Sequence, residues 1–377
     1  MTAQRRGPLF HRPITRTNLT RFLDQVSGSA VAGLQYVVVH AAGTLFDYAG
    51  GWADIRNQRA MTSATTLMAY SMTKTFTAAA ILQLVEHASL ALDNEVDEYL
   101  PDSPYVGHGI TIRQLLDHTS GIPNPIRLRW VHLAEENPTF DERAALAKVL
   151  RSHPKLTSEP GKRFAYSNIG YWLLGTIAEQ VTKQRYSDYV RCNILQPLRL
   201  SVQDSDFAVP DVTRHANGYL AKYSLLNLLK GLITDEQLWG EYEDNWLRLK
   251  SHYVNGPAFG GLVGTAHAFG EFLQDQLRTT SVLFGTETKR LFESRQTDRR
   301  GKPIPMTLGW HVGEARGVAY LFKEGGGGGF HSEMRLYPRT GIGSVVMVNS
   351  TEFNSSRFLN RVDMPFLRLK HCVRETA

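Results

Sequence analysis

The segment SMTKTFTAAAILQLVE, residues 71–86, sets a short polar head on a run that is otherwise apolar. Met72, Phe76, Ala79, Ile81, Leu82 and Val85 cover most of a helix's circumference rather than one stripe. That pattern predicts a helix opened by Ser71, running to about His87 and buried centrally. Residues i and i+3 share a helical face, so the Ser71 hydroxyl and the Lys74 amine can touch. A serine hydroxyl is a weak nucleophile until a neighbouring base takes its proton. A helix start also offers backbone N–H groups and the positive end of the dipole. One turn can therefore hold a nucleophile, a base and half an oxyanion hole.

Outward from this helix, Thr15 to Val26 reads as an amphipathic helix. Gly33 to His40 and Thr44 to Tyr48 read as a strand pair around Ala42-Gly43. From Leu90 to about Gln276 the pattern is mostly helical. Strand signals return at Gly317 to Lys323, Phe330 to Tyr337 and Gly341 to Asn349. The expected fold is α+β: an antiparallel sheet built from both chain ends with flanking helices, plus an inserted, mostly helical region. The division is residues 1–89 and 277–377 for the sheet domain and 90–276 for the insertion. The run Gly325 to Gly329 is the low-complexity segment, and glycines there mark either a bulge or a close backbone approach.

At 377 residues and 42% hydrophobic, the chain can bury a large core. Its charge of +6 comes from 42 basic and 36 acidic residues spread along the sequence. With no arginine-rich tract and no zinc-finger spacing, nucleic-acid binding is not expected. Cys192 and Cys372 are too far apart to read as a framework or a metal motif. Arg5-Arg6 is followed by no apolar run, and no stretch reaches about 18 apolar residues, so neither an export segment nor a membrane span is expected. A reduced, cytoplasmic setting is the expectation. No cofactor and no metal site are expected.

Ser-x-x-Lys alone is a weak signal and recurs at Ser152 to Lys155, where Pro154 breaks a helix. Tyr-x-Asn also occurs twice. Tyr166-Ser167-Asn168 sits at a loop-to-helix junction before Ile169 to Val181, whereas Tyr253-Val254-Asn255 reads as loop. Taken alone, Tyr166 is an ordinary loop tyrosine. Lys323-Glu324-Gly325 ends a strand signal and leads into the glycine run. There is no Gly-x-Ser-x-Gly elbow and no Ser-Asp-Asn, and His331-Ser-Glu333 has no accompanying Cys-x-x-Cys.

In this order the three motifs resemble those of the serine β-lactamase and penicillin-binding-protein superfamily, in its class C, D,D-peptidase and esterase branch. The stretches 50–86, 110–123 (ITIRQLLDHTSGIP), 160–182 and 260–273 are similar as well. The resemblance implies a β-lactamase/transpeptidase-like fold. It also implies a catalytic set of Ser71, Lys74 and Tyr166, and an oxyanion hole from the backbone of Ser71 and Gly326. Asn168, Lys323 and Gly325 become substrate contacts. His118 and Ser120, within DHTSG, are expected to be structural. Glu324 departs from the family's threonine or serine. On the cleft side it would repel a β-lactam carboxylate; turned away it would do nothing.

The function expected is a serine hydrolase forming an acyl-enzyme on Ser71, esterase-type, acting on small or apolar esters and amides. The alternatives are a β-lactamase or D-amino-acid peptidase, and a penicillin-binding protein with poor turnover. The partner is a small-molecule ester, amide or β-lactam. Whether Lys74 or Tyr166 is the acylation base stays open. Residues 219–240 (YLAKYSLLNLLKGLITDEQLWG) read as an amphipathic helix pair that packs as core, forms a dimer contact or lines the cleft.

Overall fold

The computed structural model describes residues 14–125, 130–209, 211–233 and 235–367. Cys372 and the Arg5-Arg6 pair lie outside the described residues. The expected strand pair forms as β1 (Gly33–His40) and β2 (Gly43–Asp54), followed by the short β3 (Arg59–Ala60). The late strand signals become β4 (His311–Ala315), β5 (Val318–Gly327), β6 (Phe330–Tyr337) and β7 (Ile342–Val348). They join in one seven-stranded antiparallel sheet of order β4-β5-β6-β7-β1-β2-β3. The two chain ends meet where β1 pairs with β7, Leu34 opposite Val348.

Strand alternation sorts the sheet's side chains between two faces. Leu34, Tyr36, Val38, Val346 and Val348 pack behind it, against α1 (Arg16–Ser29) and a helix at Ser355–Val362. Val37, Val39, Val345 and Met347 face forward, with Phe269, Phe272 and Leu273 of the helix Ala266–Leu277. In front of that layer runs the central helix α2 (Thr73–Glu86), buried from Thr73 to Leu84. Phe76 stacks on Phe272 at 4.2 Å and meets Phe269 edge-on at 5.5 Å. Full burial of one such side chain stabilises by about 1.5–3 kcal/mol, so the helix that follows Ser71 is anchored along its whole length.

The intervening segment carries helices at Ile112–Leu116, Glu142–Ser152 and Asn168–Thr182. It also holds strands that its apolar pattern does not display. Gly218–Ala221, Trp246–Leu249 and Trp239–Glu243 form a small sheet, and Val131–Leu133 pairs with His252–Val254. Tyr253 is thus on a strand rather than in a loop. The stretch 219–240 starts as strand and then forms two one-turn helices, Leu225–Leu228 and Lys230–Ile233. Tyr223, Leu225 and Leu228 are exposed, while Leu238 is buried. The glycine run makes no bulge. Pairing continues unbroken from Leu321↔Leu336 to Gly327↔Phe330, and Gly328-Gly329 closes a two-residue turn with Gly329 at φ +81. Among the described residues, no helix is long and apolar enough to cross a membrane.

Candidate active site

Tyr70–Met72 forms a single 3-10 turn ahead of α2, and Ser71 is its middle residue. Tyr70 holds a left-handed backbone at φ +46, a costly position for a bulky side chain. Its hydroxyl fixes it there, donating to the Gly328 carbonyl at 2.8 Å and lying 2.9 Å from His252 Nε2. On the other side β5 presses onto the same turn. A Cβ added at Gly325 would lie 2.0 Å from the Ala69 carbonyl oxygen and 3.0 Å from Ser71 N. Ser332 Oγ donates to that Ala69 oxygen at 3.0 Å. Only glycine at 325 lets the strand approach so closely. Gly325 therefore sits against the backbone of Ser71.

Lys74 Nζ is 3.0 Å from Ser71 Oγ, as the i, i+3 spacing predicts, and donates to the Phe259 carbonyl at 2.6 Å. Tyr166 Oη donates to Ser71 Oγ at 2.9 Å. Tyr166 reaches this place because its loop is tied on both sides. Ser167 caps the following helix, accepting from Gly170 N at 3.1 Å, so the cap is Ser167 and not Asn168. Ser167 N donates to His118 Nδ1 at 3.2 Å, and Ala165 N donates to the His118 carbonyl at 2.8 Å. The fully buried His118 ring packs on the Tyr166 ring at 4.4 Å. The DHTSG segment thus positions the tyrosine from beneath.

Burial drives the electrostatics. Desolvation, then the neighbouring Lys323, holds the Lys74 amine well below its ordinary value. Desolvation alone pushes Lys323 down to about 7. Burial raises the Tyr166 phenol, a tendency that the Ser71 hydrogen bond only partly opposes. The directions favour a neutral amine beside a protonated phenol. Lys323 is fully buried, and its Nζ has no hydrogen-bond partner among the described residues. It lies 5.4 Å and 5.5 Å from the centroids of Tyr166 and Tyr171.

That unpartnered amine makes a stability prediction. Between about pH 7 and 10.5 the unfolded chain binds a proton at Lys323 that the folded chain does not, so stability rises with pH across this window. Lys323→Met is expected to stabilise the fold by a few kcal/mol at neutral pH, an advantage that fades toward pH 10.5. Thermal melts of both proteins over that range check it. Parallel curves would show that the amine is hydrated.

A cavity of about 90 Å³ opens at Ser71. Trp130, Val131, Leu238, Leu249, Val254 and Phe259 supply its apolar wall, and Asn168 and Gly326 reach it as well. The Asn168 Oδ1 has no partner among the described residues. The predicted set of Ser71, Lys74, Tyr166, Asn168, Lys323, Gly325 and Gly326 therefore gathers around one turn. Glu324 alternates away from Lys323 and Gly325 along β5, yet it stands at the cleft rim, lining a neighbouring pocket with Tyr166 and Gly326. Sequence reasoning missed Tyr70, the Phe259 carbonyl and the apolar wall. A left-handed tyrosine and a backbone acceptor leave no signature in residue types.

A family profile described as "Beta-lactamase" matches residues 19–364. "Protein flp" of Staphylococcus aureus (strain N315) is 32% identical over 177 residues, covering 45% of this chain and 34% of that protein. The chain thus spans about a third of the length of the curated relatives it matches first. The octameric penicillin-binding protein homologue from Pyrococcus abyssi superposes with a TM-score of 0.75 at 23% identity, over 95% of this chain and 78% of that one. The D-amino acid amidase from Ochrobactrum anthropi SV3, complexed with L-phenylalanine amide, gives 0.73 at 21%, over 95% and 98%. At these identities the structural likeness is one of fold.

Proposed function

The chain belongs to the β-lactamase family of serine hydrolases, and from that premise we propose that it hydrolyses small, apolar acyl esters and amides through an acyl-enzyme on Ser71. The observation that carries this reading is the apolar cavity at the nucleophile, small enough for a short acyl chain and walled by Trp130, Leu238, Leu249 and Phe259.

Lys74, as a neutral amine, takes the proton of Ser71 as Oγ bonds to the carbonyl carbon. The carbonyl π pair moves to oxygen, and the oxyanion lies against the N–H groups of Ser71 and Gly326. One such donor is worth about 3 kcal/mol of transition-state stabilisation. Collapse breaks the bond to the leaving oxygen or nitrogen, which receives a proton from Tyr166 Oη while the Lys74 ammonium reprotonates the phenolate. Water then attacks the acyl-enzyme along the reverse path, and Ser71 Oγ regains its proton. Asn168 contacts the acyl group, and Lys323 stands beside the Tyr166 ring at 5.4 Å.

Glu324 weighs against the β-lactamase alternative. The hydrogen bond from His331 holds its carboxyl below the ordinary value, so the cleft rim carries a carboxylate. A β-lactam carboxylate arriving there is repelled. The test compares p-nitrophenyl butyrate with nitrocefin in timed turnover, with intact-protein mass spectrometry. Ester turnover with a transient acyl adduct and little nitrocefin cleavage is expected. Rapid nitrocefin cleavage would move the protein to the β-lactamase reading, and a stable adduct without turnover to a penicillin-binding one.

A further inference from the structure

Two pockets flank the nucleophile, and they differ in chemistry. The apolar cavity contains Ser71 but not Tyr166 among its lining residues. The second, an open pocket of about 380 Å³, is lined by Tyr166, His311, Phe322, Glu324, Gly326 and His331. Gly326 belongs to both. With the acyl chain in the first cavity, the pocket that shares Gly326 with it and contains the Tyr166 phenol is the one left for the leaving group.

Its walls are aromatic rings and one carboxylate. The His311 ring lies nearly parallel to Tyr166 at 6.0 Å, with an interplanar angle of 20°, and meets Phe322 at 5.1 Å. Glu324 Oε1 accepts from His331 Nε2 at 2.8 Å and from Ser355 Oγ at 3.4 Å. Its Oε2 has no partner among the described residues, and the side chain is 47% exposed. His331 pairs with Glu324 as a cation only when its ring is protonated, and Arg335 adds a weaker attraction. Arg335 is buried and paired with Glu333. The Lys74 and Lys323 amines, near the Tyr166 ring at 5.1 and 5.4 Å, are both depressed by burial. Burial also keeps His311 neutral, pushed down to about 2. Ring faces with a carboxylate beside them attract organic cations.

We propose that this pocket is a leaving-group subsite selective for substrates whose alcohol or amine portion carries an alkylammonium, with Glu324 the residue that sets the preference. The inference rests on the hydrolase reading above. It inverts the charge selection of a site built for a C-terminal or β-lactam carboxylate.

The experiment compares butyrylcholine with its carbon isostere, in which a tert-butyl group replaces the trimethylammonium. The acyl group and leaving-group shape are the same, so only charge differs. The wild-type protein is expected to favour the choline ester in kcat/KM, and Glu324→Gln to lower that ratio about fivefold. The variant keeps an acceptor for His331, and a ratio is read rather than an absolute rate. Should the variant fail to fold, salt titration of the wild type serves in its place: the ratio falls with ionic strength as the charge is screened. Equal kcat/KM for the two esters, or a ratio unmoved by both the substitution and salt, overturns the inference alone. Turnover of neither ester overturns it together with the hydrolase reading.

Discussion

Ser71→Ala is expected to lower kcat/KM for p-nitrophenyl butyrate by about 10⁶-fold. The substitution removes one oxygen and leaves the rest of the turn in place. Tyr70 stays pinned by Gly328 and His252, and Gly325 still packs on Ala69. What disappears is the atom that both Lys74 Nζ and Tyr166 Oη address. Some acceleration over water remains, because bound ester still meets the backbone N–H groups. Intact mass after a short pulse of ester shows an acyl adduct on the wild type and none on the variant. A variant within tenfold of wild type would place the nucleophile elsewhere and sink the mechanism.

Lys74→Met is expected to cost about 10³- to 10⁴-fold in kcat/KM, the upper range for a general base. The side chain is completely buried, and methionine fills a similar volume, so the loss is chemical rather than a collapse of the core. The pH profile separates the two readings of the base. With Lys74 as base, wild-type activity falls only as pH drops through a value well below 10.5, where the amine takes up a proton. In the variant the remaining candidate is Tyr166, whose phenol burial has raised, so residual activity climbs through the alkaline range. A variant that keeps the wild-type acid limb would make Tyr166 the base from the outset.

The fold was legible where side-chain patterning is strong. The all-round apolar run after Ser71 gave the central helix, and alternation in GLQYVVVH and FHSEMRLY gave core strands from opposite chain ends. The candidate catalytic residues were legible because their spacing is local: Ser71 and Lys74 share a turn, and Tyr166 precedes a capped helix. The rest needed three dimensions. Whether Glu324 faces the cleft depends on the register of β5, which strand alternation fixes only once Gly325 is seen against Ala69. The wall of the acyl cavity comes from separate segments, Trp130, Leu238, Leu249 and Phe259, none of which has a motif. The segment 219–240 misled because Tyr223, Leu225 and Leu228 are apolar yet exposed.

The pairing of β1 with β7, and of the Ser71 turn with Gly325, also sets when the candidate site can assemble. During translation Ser71 emerges early and Gly326 late. At about 5–20 residues per second, the stretch between them takes roughly 13–50 s to synthesise. Through that interval the nascent chain has its serine and lysine but no strand beside them, and β1 waits with an unsatisfied edge. On the hydrolase reading, activity is expected only once the last strand has arrived. On the same reading, a fragment ending before β4 and one carrying β4 to β7 are each expected to be inert, with activity returning when they are mixed and the sheet closes between them.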